Sequence, residues 1–212
     1  MQNTYKENDF SKILKGRRSV RNYDPAVKIS KEEMEQIIND TVTAPSSINM
    51  QPWRFVVVSS DEGKETLAPL VHFNKLQNET SAAMVVIFGD LDNFAQAEKI
   101  YGTAVEQNLM PQDVKERQLE MFSPLMEKMP LDVKKETVLI DGSLAAMNLM
   151  LVARAYGYDT NPIGGFDREK ITEALQLDPE QYYPIMIVSI GKAKEAGYPS
   201  YRLPAEDITF WR

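Results

Sequence analysis

Apolar side chains recur along this chain with two periods, and the period changes from segment to segment. Phe10, Ile13 and Leu14 fall at i, i+3 and i+4 behind Asp9, which predicts a short capped helix ended by Gly16. Met34, Ile37 and Ile38 repeat that spacing behind a capping box formed by Ser30 and Glu33, so a second helix is expected to about Val42. Residues 55–58 and 84–88 are short unbroken runs rich in β-branched side chains, and read as strands buried on both faces. A helix over 62–70 separates them. Residues 93–129 are helical in composition and broken at Pro111; their Leu119, Phe122, Leu125, Met126 and Met129 form a stripe that could be core, the commonest case, or a partner-binding face or a flexible lid. The strongest helix spans 136–156, apolar on most sides and capped by Gly157. A helix buried all round needs cover from more than one direction, from a thick domain or from a second subunit. A short helix to about Leu175 and a strand over 185–190 follow.

The C-terminal Ile208, Phe210 and Trp211 are too apolar to remain in water, and are expected to dock on their own domain or on a partner. No linker, repeat or low-complexity tract divides the chain, which reads as one α+β domain over 1–212 with helices covering a small sheet. Asp141, Gly142, Ser143 and Asn148 interrupt the longest apolar run, so none reaches the ~18 residues of a membrane span. Residues 1–10 are polar and lack the order of a secretory leader; a cytoplasmic protein is expected, and the sequon at Asn78 is then a chance match.

Charge and composition narrow the chemistry. With 24 basic and 31 acidic residues the net charge is -7, which disfavours nucleic acid and anionic membranes as partners. The absence of cysteine removes disulfides, thiolate metal sites and thiol nucleophiles. A single histidine, His72, makes a zinc site or a Ser-His-Asp hydrolase a poor fit, and without a partner in sequence it reads as an ordinary loop histidine. Neither a G-x-G-x-x-G turn nor a P-loop is present. If the chain is an enzyme, a cofactor must perform the chemistry.

Three segments stand out. Arg17, Arg18, Ser19 and Arg21 lie within five residues, either converging on a phosphate or complementing a helix C-terminus from solvent. Pro45, Ser46, Ser47, Ile48, Asn49, Met50, Gln51, Pro52 and Trp53 form a stiff loop whose uncharged hydroxyl and amide groups suit a flat polar heterocycle, or merely a surface turn. Pro162, Ile163, Gly164 and Gly165 form either a tight turn or a backbone that can approach a ligand closely.

Together with the late Arg202-Leu203-Pro204, these segments resemble, in order and approximate spacing from Arg17 to Phe210, the nitroreductase family of flavin mononucleotide (FMN) enzymes. The resemblance implies an intertwined homodimer with two FMN sites at the subunit interface. It implies that Arg17, Arg18, Ser19, Arg21 and Arg202 surround the phosphate and ribityl chain, and that Pro45, Ser46, Ser47, Ile48, Asn49 and Gln51 reach the flavin from the other subunit. Asn74 matches an asparagine near the ring, Gln77 stands where some members carry lysine, and Pro162 to Gly165 match the segment beside flavin N5. Gly164 departs from the glutamate of other members, and the residues before Arg202 lack an extra lysine, which leaves the substrate and the nicotinamide open. The implied reaction is ping-pong: NADH or NADPH delivers hydride through N5, and a nitroaromatic, quinone or similar electrophile then accepts it, with neither a metal nor a catalytic side chain. Residues 109–131 would be a lid and 198–212 an extension docking on the partner subunit. The alternatives are a specialised flavin reductase or reductive dehalogenase of the same fold, or a non-catalytic helical binding protein.

Overall fold

The apolar run expected at 84–88 becomes the central strand of the molecule. In the computed structural model, which describes residues 5–212, the strands are β1 (Trp53–Val58), β2 (Ala83–Asp90), β3 (Asp159–Ile163) and β4 (Tyr182–Gly191). They form one sheet of order β1-β2-β4-β3 in which every neighbouring pair is antiparallel. Residues 1–4, part of the polar stretch read as lacking a leader, lie outside the described residues.

Strand alternation sorts β2 into two cores. Ala83, Val85 and Ile87 pack with Ala145, Ala146, Leu149 and Ala153 of α7 (Leu131–Ala155) and with Met34 and Ile37 of α2 (Lys31–Thr41). Met84, Val86 and Phe88 point the other way, against Leu67, Leu70, Val71, Phe166 and Ile171. That second layer is built from α3 (Asp61–Leu67), α4 (Lys75–Thr80) and α8 (Ile171–Ala174) with their loops. Every residue of β2 is buried.

The expected caps form. Asp9 Oδ1 accepts from the Ser11 and Lys12 N–H groups at the start of α1 (Phe10–Gly16), and Ser30 Oγ accepts from Glu33 N–H at 3.1 Å. Glu33 itself turns to accept from the buried Tyr158 hydroxyl at 2.7 Å. Gly157 takes φ +84° after α7, where its N–H and that of Tyr158 bond back to Arg154 and Ala153 carbonyls.

Several expectations need correction. β1 is an edge strand, so its four central residues are only half-buried rather than covered on both faces. β3 has no apolar run to announce it: Asp159, Thr160, Asn161 and Pro162 become a strand by pairing with β4. The strongest helix begins earlier than expected, at Leu131, and by length and composition is long and apolar enough to cross a membrane, although it is the core helix on the sheet. It is not buried all round, because Ile140 is 63 % exposed and Leu144 and Met147 are exposed beside it.

The region 93–129 folds as α5 (Ala97–Glu106) and α6 (Gln112–Glu127) with Pro111 before α6. No residue of α6 is fully buried; of its apolar stripe, Leu119 packs on Met50, Ala97 and Tyr101 while Leu125 stays exposed, so the stripe is only partly core. The C-terminal segment, with α9 (Ala205–Ile208), does not dock on its own domain either: Phe210 and Trp211 are 83 % and 88 % exposed. Asn78 is buried with its amide donating to the Lys64 carbonyl at 2.8 Å, so the sequon is closed to modification.

Candidate active site

The residues singled out from sequence fall into two groups, at opposite edges of the sheet. Beyond α1 the chain runs extended beside β3: Ser19 bridges Thr160, and Val20 N–H donates to the Thr160 carbonyl at 3.0 Å. Alternation turns Val20 into the core and leaves Arg17, Ser19 and Arg21 together on the other side. Arg18 is separated from them. Its Nη1 donates to the Lys15 and Arg17 carbonyls at 2.6 and 2.9 Å, closing the end of α1, so its guanidinium is engaged by backbone.

Arg202 returns to this region from the far end of the chain, braced on Ser200 Oγ and the Tyr201 carbonyl. Burial lowers the pKa of the Arg17 guanidinium from its ordinary value, and the nearby charges of Arg202 and Arg18 lower it further. Among the described residues, none of these arginines has a carboxylate partner. Like charges gathered without a counterion form a ready site for an anion.

At the other end of β3 the carboxamides connect in series. Gln77 Nε2 donates to Asn74 Oδ1 at 3.0 Å, and Asn74 Nδ2 donates to the Gly165 carbonyl at 3.3 Å. Pro162 and Ile163 pair with Val188 and Ile187 inside the sheet, and Gly164 and Gly165 emerge from it. A Cβ at either glycine would meet no atom within 4 Å, so packing does not require glycine there; open space lies beside that backbone. His72 and Phe73 precede Asn74, with His72 in a left-handed turn (φ 45°) and Phe73 fully exposed.

The loop 45–52 lies at the opposite edge, feeding β1. Three strand spacings separate the two edges, roughly 14 Å, and no hydrogen bond joins the groups among the described residues. The loop is strained: Ile48, Asn49 and Gln51 have φ of 44°, 59° and 47°. Such values are costly for a β-branched residue, about 1–3 kcal/mol. Ser46 Oγ accepts from Gln51 N–H at 3.0 Å, Tyr101 of α5 donates its hydroxyl to the Ile48 carbonyl at 2.8 Å, and Arg54 donates to the Gln51 carbonyl at 3.0 Å. Asp141 of α7 holds Ser47 N–H with both oxygens at 3.1 Å. Ser47 Oγ and Asn49 Nδ2 donate to nothing among the described residues.

Sequence reading passed over Asp141, Tyr101 and Phe73. Asp141 had a usable signal, since a carboxylate inside an otherwise apolar helix must find a hydrogen-bond partner.

A cavity of about 310 Å³ opens behind the loop, between α6 and α7, walled by Ile48, Met50, Phe94, Met126 and Met129 with Lys134 and Thr137 on its rim. Asn49 and Gln51 line a separate groove along α5.

The Nitroreductase family matches residues 14–192. A Bacillus subtilis (strain 168) protein, provisionally named NAD(P)H nitroreductase YdgI, is 58 % identical, over 98 % of this chain and 99 % of its own length. The CLA biosynthesis enone reductase of Lactiplantibacillus plantarum is 37 % identical over 95 % of this chain and 94 % of its own. A crystal structure from Exiguobacterium sibiricum 255-15, in complex with FMN, superposes with a TM-score of 0.95 at 55 % identity, covering 97 % of this chain and 98 % of that one. A match over most of its length, with relatives this similar, makes the chain a member of the Nitroreductase family.

Proposed function

We propose that the protein is an FMN-dependent oxidoreductase which takes electrons from NADH or NADPH and delivers them to a nitroaromatic, quinone or similar electrophile. It works as a cytoplasmic homodimer. The observation that carries this reading is the division of the candidate site between opposite sheet edges, each with polar groups that have no partner among the described residues. A second copy is needed to bring the loop of one chain against the arginine segment of the other.

The residues fit the cofactor. Arg17, Arg21, Arg202 and Ser19 would hold the phosphate, where a charge-assisted bond contributes ~1.5–3 kcal/mol. Gly164 and Gly165 leave room for a ring edge, with backbone N–H groups beside it, and Asn74, braced by Gln77, orients that turn. Ser46, Ser47, Ile48, Asn49 and Gln51 would close the opposite side from the second chain, with the Ser47 hydroxyl and Asn49 amide as free donors. Arg18 keeps α1 in place instead of binding directly. FMN bound there supplies the two-electron exchange between nicotinamide and acceptor, in two successive half-reactions.

Two surfaces support the dimer. Ile140, Leu144 and Met147 leave α7 with an apolar stripe in water, and residues 198–212 extend away with Phe210 and Trp211 exposed. The extension docks on the partner subunit, and 109–131 acts as the lid. The cavity of about 310 Å³ favours a second reading of the acceptor, a conjugated ketone with an apolar body, in keeping with the enone reductase named above.

The purified protein should be yellow, or take up added FMN, and should oxidise NADH or NADPH only when an acceptor is supplied. Absorbance, solution mass and a steady-state assay with both nicotinamides and an acceptor panel test it. Colourless protein that fails to bind FMN would overturn it.

A further inference from the structure

Asp141 is a buried carboxylate with no cation beside it. It is 4 % exposed, forms no ion pair among the described residues, and has the Ser47 backbone N–H as its one hydrogen-bond donor. Burial raises its pKa above the ordinary carboxyl value, and the Ser47 bond opposes that rise. An apolar side chain here would fold at lower cost, since an unpaired buried carboxylate destabilises the native state. The group therefore needs an explanation other than stability.

Its geometry supplies one. α7 is pressed onto the sheet at this turn: a Cβ on Gly142 would lie 2.2 Å from Ile185 Cδ1. Asp141 is thereby a fixed post, and it grips the first residue of the strained turn Ser47–Asn49. Ile48 follows directly at φ 44°. The Ser47 bond acts with those of Tyr101 to the Ile48 carbonyl and of Gln51 N–H to Ser46 Oγ in holding the turn against its backbone strain.

We infer that Asp141 is a positioning residue for the flavin site: by holding Ser47 N–H it locks the left-handed turn that presents Ser47 Oγ and the Asn49 amide to FMN. The inference rests on the proposed FMN site. Asp141 acts through the loop and touches no reacting atom.

The test measures FMN affinity and thermal stability side by side in Asp141→Leu, on the flavin-loaded protein and after FMN removal. The FMN Kd should rise about ten- to a hundredfold, the scale of one charge-assisted hydrogen bond. The flavin-free protein should melt no lower than wild type. The salt dependence of Kd should keep its slope, because the arginine contacts to phosphate remain. A merely structural role would instead lower the melting temperature. If leucine at this position prevents folding, Asp141→Ala, which also removes the acceptor for Ser47 N–H, carries the same measurements and the same expected rise in Kd.

Unchanged FMN affinity in the folded variant overturns the inference, and so does a loss of affinity that only tracks a loss of stability. Arg21→Ala separates this from failure of the flavin reading: that variant should bind FMN more weakly and lose part of the salt slope. If Arg21→Ala binds as wild type does, the flavin site itself is misassigned.

Discussion

Ordinary side chains acquire unusual tasks here through their neighbours. Arg18 and Arg21 are indistinguishable in the sequence, yet one caps α1 and the other faces away on the strand-like segment, because alternation along extended backbone separates odd from even positions. The Asp141 carboxyl, raised by burial, makes a prediction about pH. A raised carboxyl pKa stabilises the fold at pH values below the unfolded value, about 4. That contribution is lost as pH rises through the folded value. The unfolding free energy of Asp141→Leu should therefore gain on wild type as pH climbs from about 4 towards neutrality, and the gap should close in acid. Denaturant titrations across that window read it, and a gap independent of pH would show that the buried charge costs nothing. The strain at Ile48 belongs to this scale too. Nothing in the residue type foretells a positive φ, which the surrounding hydrogen bonds impose.

Elements are placed by how closely their backbones can approach. β2 is buried on both faces because α7 covers one side and the α3, α4 and α8 layer covers the other. Gly89 lets α7 come down onto β2: a Cβ there would lie 2.5 Å from both Cβ and Cγ2 of Val138, atoms next to the helix backbone that cannot swing aside. Gly89→Ala should destabilise the protein by about 1–3 kcal/mol, read by calorimetry at fixed protein and FMN concentrations as a fall of several degrees in melting temperature. An unchanged melting temperature would mean that the helix can lift without cost. α6 shows the opposite case, an amphipathic helix that packs only partly, with Leu119 against Met50, Ala97 and Tyr101 and with Met121 and Leu125 left exposed. The lid proposed for 109–131 is consistent with that exposure and with Met126 and Met129 lining the cavity.

One copy of the chain gives an incomplete object. The arginine segment and the loop stand at opposite edges of a four-stranded sheet, while α7 and the C-terminal extension leave large apolar side chains in water. Both features fit the homodimer proposed above. Ile140→Lys puts a charge on the exposed stripe of α7, where it costs the monomer little and an interface much. Sedimentation should show a shift from twice the chain mass towards the single chain, with FMN affinity falling in step. A variant that stays dimeric with FMN bound would move the interface off this face of α7.

The sequence by itself determined what depends on local order. The caps at Asp9, Ser30 and Gly157, the buried run of β2 and the helical periods follow from backbone hydrogen bonding and burial within a few residues. The order of the arginine, loop and glycine segments was enough to expect the Nitroreductase family, which the match over 14–192 bears out. Tertiary structure alone decided the rest. β3 exists because β4 offers it a ladder, and β1 is half-exposed because it falls at the sheet edge. Asp141, which in sequence only interrupts an apolar helix, meets a loop ninety-four positions away. Each of these depends on which distant segment supplies a partner, and residue type and spacing do not carry that information.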